Sequence, residues 1–527
     1  MELTSTLQCD VCVIGTGLAG CLAALEAAEA GGRVCLASTG PLFSGSSFFE
    51  GTWGLGCIAP DGPEMAEDLV QTILDVGCGV ADEQLVRTFV GAIPGALADL
   101  ESRGVSLRVP DASAEREYIP CFDHAHRLWR GLERASLKSV LTRELAEKSV
   151  ALLSGCTLID VVEEGQAQVG KPADGHSRVI GAVFYDSSKA RFLAVSAAAI
   201  VLATGGLGGL WGHRLTRDDC LGSAQAVALA HGEELVNIEF LQIMPAVMTP
   251  KGPVVFNEKC FRYSELSREI GRDLLESRSM HGPFTSRLIS RDVDLALASP
   301  SEPVTARVDR LPEPAPEFIG TYRTWYEEAT GLSLETPVEL HHFAHASNGG
   351  ILIDGTGACK LPGLFAAGEC AGGMHGADRI GGLASASALV FGRKAGRSAD
   401  SYARDHGRDQ REFSIRLEAG AGAEAGAVDC ALGEMLDTHA LVIRTGEGLM
   451  RAERELEKLE RGEQLPLITR QRILSARATV AAMCARTESR GAHYRADFSE
   501  SDPAQARPLA VSMASGGMLH IGPAVYR

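Results

Sequence analysis

Residues 9–38 read CDVCVIGTGLAGCLAALEAAEAGGRVCLAS, and their pattern decides the fold class. An apolar run, VCVI, is followed at once by Gly15, Gly17 and Gly20 in GxGxxG spacing. The segment from Leu18 to Ala30 is rich in alanine, so it reads as a helix that can pack close to a sheet, and RVCLAS reads as a second strand. Strand, glycine turn, helix and strand is the context in which this motif binds a dinucleotide. One glycine makes the turn, one lets the backbone approach a pyrophosphate, one seats the helix, and the helix N-terminus offers unpaired amides to the phosphates. Gly15, Gly17, Leu18, Ala19 and Gly20 are therefore expected at the cofactor. The second strand ends in LAST without the acid usual for a ribose; Ser38 stands at about that position.

Residues 341–396 form a second glycine-rich stretch, with HFAHASNGGILID, LPGLFAAGECAGG and IGGLASASALVFGRKAG in succession. These read as a loosened segment entering a strand, a short strand stopping at an acid, and a turn opening a small-residue helix. Glycines at 372, 373, 376, 381 and 382 permit positive φ and let a flat group come close. His345, Glu369, His375 and Arg379 are expected to converge on one pocket.

In these residues the chain resembles the flavoprotein subunits of succinate dehydrogenase and fumarate reductase and their relative L-aspartate oxidase. SAAAIVLATGGLGG at 196–209 resembles the second flavin-contacting strand and turn, and CLGSAQAVALAHGEELVNIEFLQIMP at 220–245 resembles the helix and strand leading to the substrate. Residues 61–90 resemble the helical pair of L-aspartate oxidase, and 488–502 the end of the C-terminal helical domain. The resemblance implies an α/β (α+β) fold: a Rossmann-like FAD-binding domain in two parts, 1–245 and 341–400, a cap over 246–340, and a helical domain over 401–527.

It also implies FAD as cofactor. Besides the fingerprint and Ser38, the family places Gly45, Ser46 and Gly54 of the 40–60 loop against the flavin, Thr204 and Gly205 at the second turn, Glu369 on the sugar chain, and Gly382 and Ser385 at the pyrimidine end. The dehydrogenases carry a histidine in the 40–60 loop that bonds covalently to FAD; none stands here between Arg33 and His124, so noncovalent FAD is expected.

For the substrate, His345 matches the histidine of the family's TAHYxMGG pattern and Arg379 the arginine of GANRLG. A planar guanidinium suits a carboxylate because it can bind both oxygens. Arg291 in SRDVDLAL, beside Asp292, matches the proton-donating arginine, with Arg287 as runner-up. DHAHR at 123–127 resembles a turn of L-aspartate oxidase, so His124, His126 and Arg127 stand between an active-site role and a surface turn.

Two features depart from the family. Its QFHPTG is Gln242-Ile243-Met244-Pro245-Ala246-Val247, so Met244 replaces a substrate-binding histidine. Its TEGxRGEGG is not recognisable in TPKGPVVFNEKC, where Glu258 is the nearest candidate for the glutamate, and Lys259 or Arg262 would have to replace the lost histidine for a dicarboxylate.

Composition narrows the class. A net charge of −18 argues against nucleic acid. No run of about 18 uncharged apolar residues suggests a membrane span, and MELTSTLQCD has no signal-peptide pattern. Fourteen scattered cysteines fit a reducing cytoplasm, with Cys9 and Cys12 packing as small hydrophobes. His341, His342 and His345 lack further ligands nearby, so no metal is expected.

Outside the glycine-rich stretches, 61–108 and the region beyond 397 read as helical, 149–200 as strands with a hairpin insert at 168–177, 262–279 as a charged helix, 418–427 as a linker, and the last residues as no clear element. The functional expectation is an FAD-dependent oxidoreductase moving a hydride between flavin N5 and a carbon of a carboxylic acid other than succinate. Two rivals stand: amine oxidation as in L-aspartate oxidase, and a flavin electron-transfer subunit without its own substrate, which Met244 would suit. The expected partners are a small carboxylic acid and an iron–sulfur or other electron-transfer subunit. The location is the cytoplasm or, through such a partner, the periphery of the inner membrane; the oligomeric state is left open.

Overall fold

The apolar run at 9–14 lies in β1 (Leu7–Ile14), in the middle of the main sheet. The structure, a computed structural model, describes all residues except 112–117, 174–176, 250–251, 299–302, 408–411, 418–425, 462–464, 515 and 527. From β1 the chain turns through Gly15–Gly17 into α1 (Leu18–Glu29) and returns as β2 (Val34–Ser38), parallel to β1. β3 (Ala151–Ser154), β4 (Cys156–Glu163), β5 (Val179–Asp186) and β6 (Arg191–Leu202) complete the order β3-β2-β1-β6-β5-β4. β6 changes partner along its length: its first half pairs antiparallel with β5, and its last residues pair parallel with a strand at Leu364–Ala366.

α1 packs on the sheet, and further helices pack outside it. α2 (Pro63–Val76) and α3 (Glu83–Ser102) form the expected helical pair, and α4 (Arg134–Glu147) follows a strand at Leu128–Leu132. The strands Leu241–Thr249, Gly252–Val255, Ser264–Leu266, Val304–Val308 and Val338–Ser347 build a separate five-stranded sheet. On it packs α5 (Glu317–Thr330), over an apolar cluster that includes Phe256, Phe261, Ile319, Tyr322 and Leu340. α6 (Leu383–Asp405) then returns to the first body, where Gly392 and Gly396 meet the backbone of α1: a Cβ on either would lie 2.6 or 2.2 Å from the carbonyl oxygen of Ala19 or Ala23. The small-residue helix and the alanine-rich helix thus touch backbone to backbone. α7 (Gly426–Ala440), α8 (Gly446–Glu460) and α9 (Leu467–Ala485) complete the helical C-terminal region. Among the described residues no helix is long and apolar enough to cross a membrane.

Two local expectations are corrected. The charged segment 262–279 is α-helical only over Arg272–Arg278; Arg262 and Tyr263 close a 3-10 helix begun at Glu258, Ser264–Leu266 is taken into the second sheet, in register with Val308–Ala306, and Gly271 precedes the α-helix. The last residues form a hairpin, Leu509–Met513 with Leu519–Pro523, that adds to a strand at Leu235–Val236. The linker expected at 418–427 lies outside the described residues up to 425, and Gly426 opens α7. The insert at 168–177 joins antiparallel neighbours β4 and β5, with 174–176 outside the described residues.

Candidate flavin and acid site

The C-terminal ends of β1, β6 and the Leu364–Ala366 strand open into one cleft. Gly15, Gly17, Leu18, Ala19, Ser38, Gly45, Ser46, Gly54, Thr204, Gly205, Glu369, Gly382 and Ser385 all line it. Gly20 does not. It lies below the cleft, where a Cβ would come within 1.8 Å of the Gly15 carbonyl oxygen, so its role is to seat α1 on β1. Gly15 has φ +113°, and a Cβ there would meet Ala203 O at 2.1 Å; beside Gly17 the nearest atom to such a Cβ is Ser47 Oγ at 3.7 Å, so the groove is open where phosphates would approach the α1 N-terminus. Glu369 Oε1 accepts the Ser347 amide at 2.8 Å. Burial raises the Glu369 pKa, and a carboxyl so placed suits sugar hydroxyls. Ser38 Oγ donates to the Gly40 carbonyl at 2.6 Å. These residues fit FAD.

Arg134 holds the 40–60 loop. Its guanidinium donates to the carbonyls of Ser47 at 3.1 Å and Thr52 at 2.9 Å, and burial lowers its pKa to about 10. No motif marks it, since its partners are backbone atoms of a distant loop.

Beneath the cleft, β4 supplies Thr157 and Leu158 to the lining, and the helix Ser223–Ala230 ends in His231. His231 is clamped between Asp160, at 2.8 Å from Nε2, and Glu163 on Nδ1. Burial works to lower its pKa, but the two carboxylates outweigh it and raise it to about 9. The folded value lies above the ordinary one, so the stabilisation is full below about pH 6.5 and is lost as pH rises through about 9. His231→Gln should therefore lower stability at pH 7 by roughly 2–3 kcal/mol, with a clearly lower Tm, and by much less at pH 10. Equal Tm gaps at both pH values would rule out the charge as the cause.

A second cavity of about 820 Å3 meets the cleft at Thr52–Gly56, Arg134, His345, Arg379 and Gly382. Arg379 is buried; Nε donates to Gln242 Oε1 at 2.9 Å and Nη1 to the Ile380 carbonyl at 3.1 Å. Its sequence neighbour Asp378 is taken by Arg287 Nε at 2.9 Å and Thr285 Oγ1 at 2.7 Å. Among the described residues no carboxylate pairs with Arg379. Burial lowers its pKa, so an anionic ligand at its open edge would be stabilised. The Nδ1 atoms of His345 and His375 are buried and meet no partner among the described residues. Burial, and then Arg379, holds both imidazoles low, at about 3, so both are neutral.

Several expected residues lie elsewhere. Arg291 lines neither the cleft nor the cavity. It opens a short helix, Arg291–Leu297, and turns its guanidinium to the carbonyl of Ser286 at 2.7 Å and of Ser499 at 3.4 Å, over the Tyr494 ring. Arg287, held by Asp378, is no better placed. His124 and His126 are exposed, and Arg127 is buried between Asp123 at 2.8 Å and Asp68 at 2.5 Å, so the 123–127 segment is a structural turn. His341 pairs with Glu339 and His342 with Asp294, while His345 alone reaches the cleft. Arg262 donates to Ser279 Oγ and is not part of the cavity wall.

The family described as FAD binding domain matches residues 10–384, and that described as fumarate reductase flavoprotein C-term matches 467–517. The chain belongs to the FAD-dependent oxidoreductases of the succinate dehydrogenase, fumarate reductase and L-aspartate oxidase family. This flavoprotein is 29% identical to an L-aspartate oxidase of Caulobacter vibrioides over 94% of each chain. It is 26% identical to a fumarate reductase (CoM/CoB) subunit of Methanothermobacter marburgensis, over 95% of this chain and 96% of that one. Among solved structures it superposes on E. coli quinol fumarate reductase FrdA with TM-score 0.77 at 21% identity, over 99% of this chain and 97% of that one. For the Mycobacterium smegmatis Sdh1 complex the TM-score is 0.78 at 22% identity, over 99% and 94%. These likenesses show a shared fold.

Cys121 is a group of the cavity wall that no motif announces, whereas Glu258, Lys259 and Met244 are marked by comparison with the family pattern. Cys121 donates its thiol hydrogen to Glu258 Oε1 at 2.8 Å, and burial, reinforced by that carboxylate, pushes the thiol pKa up. Lys259 Nζ donates to the Ile119 carbonyl at 3.2 Å. Met244 packs with Leu215, Val255 and Phe343, against Trp53 and Trp325.

Proposed function

We propose that the flavoprotein transfers a hydride between its flavin and a carbon of a carboxylic acid other than succinate or fumarate. The observation that carries this reading is Arg379, a buried guanidinium without a carboxylate partner among the described residues, opening where the cleft meets a cavity walled by Met244. Bound FAD supplies a two-electron hydride donor or acceptor at N5. Arg379, oriented by Gln242, holds the substrate carboxylate; neutral His345 adds a hydrogen bond at the same end. With Arg291 turned away, Glu258 and its partner Cys121 are the groups assigned to the proton at the neighbouring carbon.

At the other end a second carboxylate would face the Met244 cluster and cations already engaged by protein groups, Lys259 by the Ile119 carbonyl, Arg134 by those of Ser47 and Thr52, and Arg108 by Glu317, so it would lose water for a poor return, which is unfavourable by about 1–3 kcal/mol. A panel of acids assayed with an artificial electron dye in both directions tests this. Larger monocarboxylic acids should exceed fumarate and succinate in kcat/KM; the reverse order would overturn the reading. Amine oxidation is the second reading, favoured by likeness to L-aspartate oxidases over most of both chains, but aspartate also carries a second carboxylate.

The FAD is held without a covalent bond, since the 40–60 loop has no histidine. Acid precipitation should leave all yellow colour in the supernatant; flavin in the pellet would contradict this. Two similar proteins are named as parts of assemblies, one a fumarate reductase (CoM/CoB) subunit, the other a member of an Sdh1 complex, which supports an electron-transfer partner for this chain. All fourteen cysteines are free, which supports a reducing compartment such as the cytoplasm.

A further inference from the structure

We infer that the acid taken by this flavoprotein is a monocarboxylate whose tail is a planar aromatic ring; the inference rests on the reading that Arg379 holds the carboxylate. The cavity of about 820 Å3 falls in the range of pockets that enclose ligands much larger than a four-carbon acid. Among the described residues five aromatic side chains line it: Trp53, Tyr118, Trp129, Phe318 and Trp325. They come from separate parts of the chain. Trp53 sits in the Thr52–Gly56 segment that borders both cleft and cavity, Trp129 on the Leu128–Leu132 strand, and Phe318 and Trp325 two turns apart on α5.

Four of these rings form an edge-to-face chain. Trp53 and Phe318 lie 4.6 Å apart at 87°, Phe318 and Tyr118 5.4 Å at 88°, and Tyr118 and Trp129 5.7 Å at 70°. Trp53, Trp129 and Trp325 are half-buried, so ring surface is left for a ligand to cover. A flat ring entering from the Arg379 end meets Trp53 first, then this wall. An aromatic ligand gains offset or edge contacts there that a saturated tail of equal size does not.

The charges on the wall do not favour a second carboxylate. Arg108 is paired with Glu317 at 3.4 Å and lies over the Trp129 ring at 4.8 Å. Lys259 points its ammonium at the Ile119 carbonyl, 5.9 Å from the Phe318 ring, and Glu258 on the same wall would repel an anion. The cavity is therefore anion-selective at one end and aromatic at the other.

The test is a titration of the oxidised holoenzyme, read from the visible absorbance of its bound flavin, which needs no turnover. The probes are cinnamate, crotonate, fumarate, 3-cyclohexylacrylate and cinnamyl alcohol. Cinnamate should bind at least about ten-fold tighter than crotonate or fumarate and several-fold tighter than 3-cyclohexylacrylate. Trp325→Ala should weaken cinnamate by about five-fold or more and leave crotonate unchanged. If crotonate or fumarate binds as tightly as cinnamate, the aromatic tail is wrong while the carboxylate reading stands. Equal binding of 3-cyclohexylacrylate reduces the wall to a merely apolar one and also overturns the inference. If cinnamyl alcohol matches cinnamate, the carboxylate reading itself fails. No spectral response to millimolar cinnamate overturns the inference outright.

Discussion

Arg379→Ala should lose acid turnover and keep its flavin. The guanidinium is buried, fixed on one edge by Gln242, and meets no protein carboxylate among the described residues. Its open edge is where a substrate carboxylate is desolvated, and truncating one partner of such a pair costs about 2–5 kcal/mol. The expected loss in kcat/KM is then roughly 30-fold to several thousand-fold. Flavin content, read from absorbance per chain, should stay at the wild-type value because the fingerprint, Glu369 and the α6 N-terminus are untouched. Arg379→Lys should recover only part of the loss, since an ammonium does not present two parallel donors. An unchanged kcat/KM with every acid would remove Arg379 from the site.

Gly20→Ala should strip the flavin. The added methyl would lie 1.8 Å from the Gly15 carbonyl oxygen and 2.9 Å from its carbon. Both are backbone atoms, so no side chain can swing aside, and α1 must lift from β1. Gly15 cannot yield, because it is itself at φ +113° against Ala203. Overpacking of this kind costs about 1–3 kcal/mol and more when backbone must move. Flavin per chain should fall about ten-fold or more, with a Tm several degrees lower. Gly91→Ala on α3, where a Cβ meets nothing within 4 Å, serves as the control and should be neutral or stabilising. Full flavin content and wild-type Tm in Gly20→Ala would contradict the seating role.

The parts legible in the sequence are those where backbone geometry dictates residue type. Gly15 and Gly20 could be placed because only glycine fits, and the alanines of α1 announced the close approach that Gly392 and Gly396 complete. Motif matching pointed to His345 and Arg379, which lie beside such turns and line the junction of cleft and cavity. It failed for Arg291: a motif specifies a residue type at a helix start, but the direction of the side chain is set by Ser499 and Tyr494, two hundred residues on. The aromatic wall has no local spacing at all, since its members come from four segments that meet only in the fold. The C-terminal hairpin did carry a readable signal, Gly516–Gly517, which takes φ +93° and +80° at the turn.

Rapid-mixing reoxidation of the reduced flavoprotein decides most directly whether a carboxylate is what the enzyme grips. The enzyme is reduced anaerobically and mixed with fumarate, crotonate or cinnamate, and in parallel with the methyl ester of each. With Arg379 holding the carboxylate, at least one acid reoxidises the flavin about 30-fold or more faster than its ester, and Arg379→Ala removes the difference. Equal rates for every acid and its ester in the wild type would contradict that assignment.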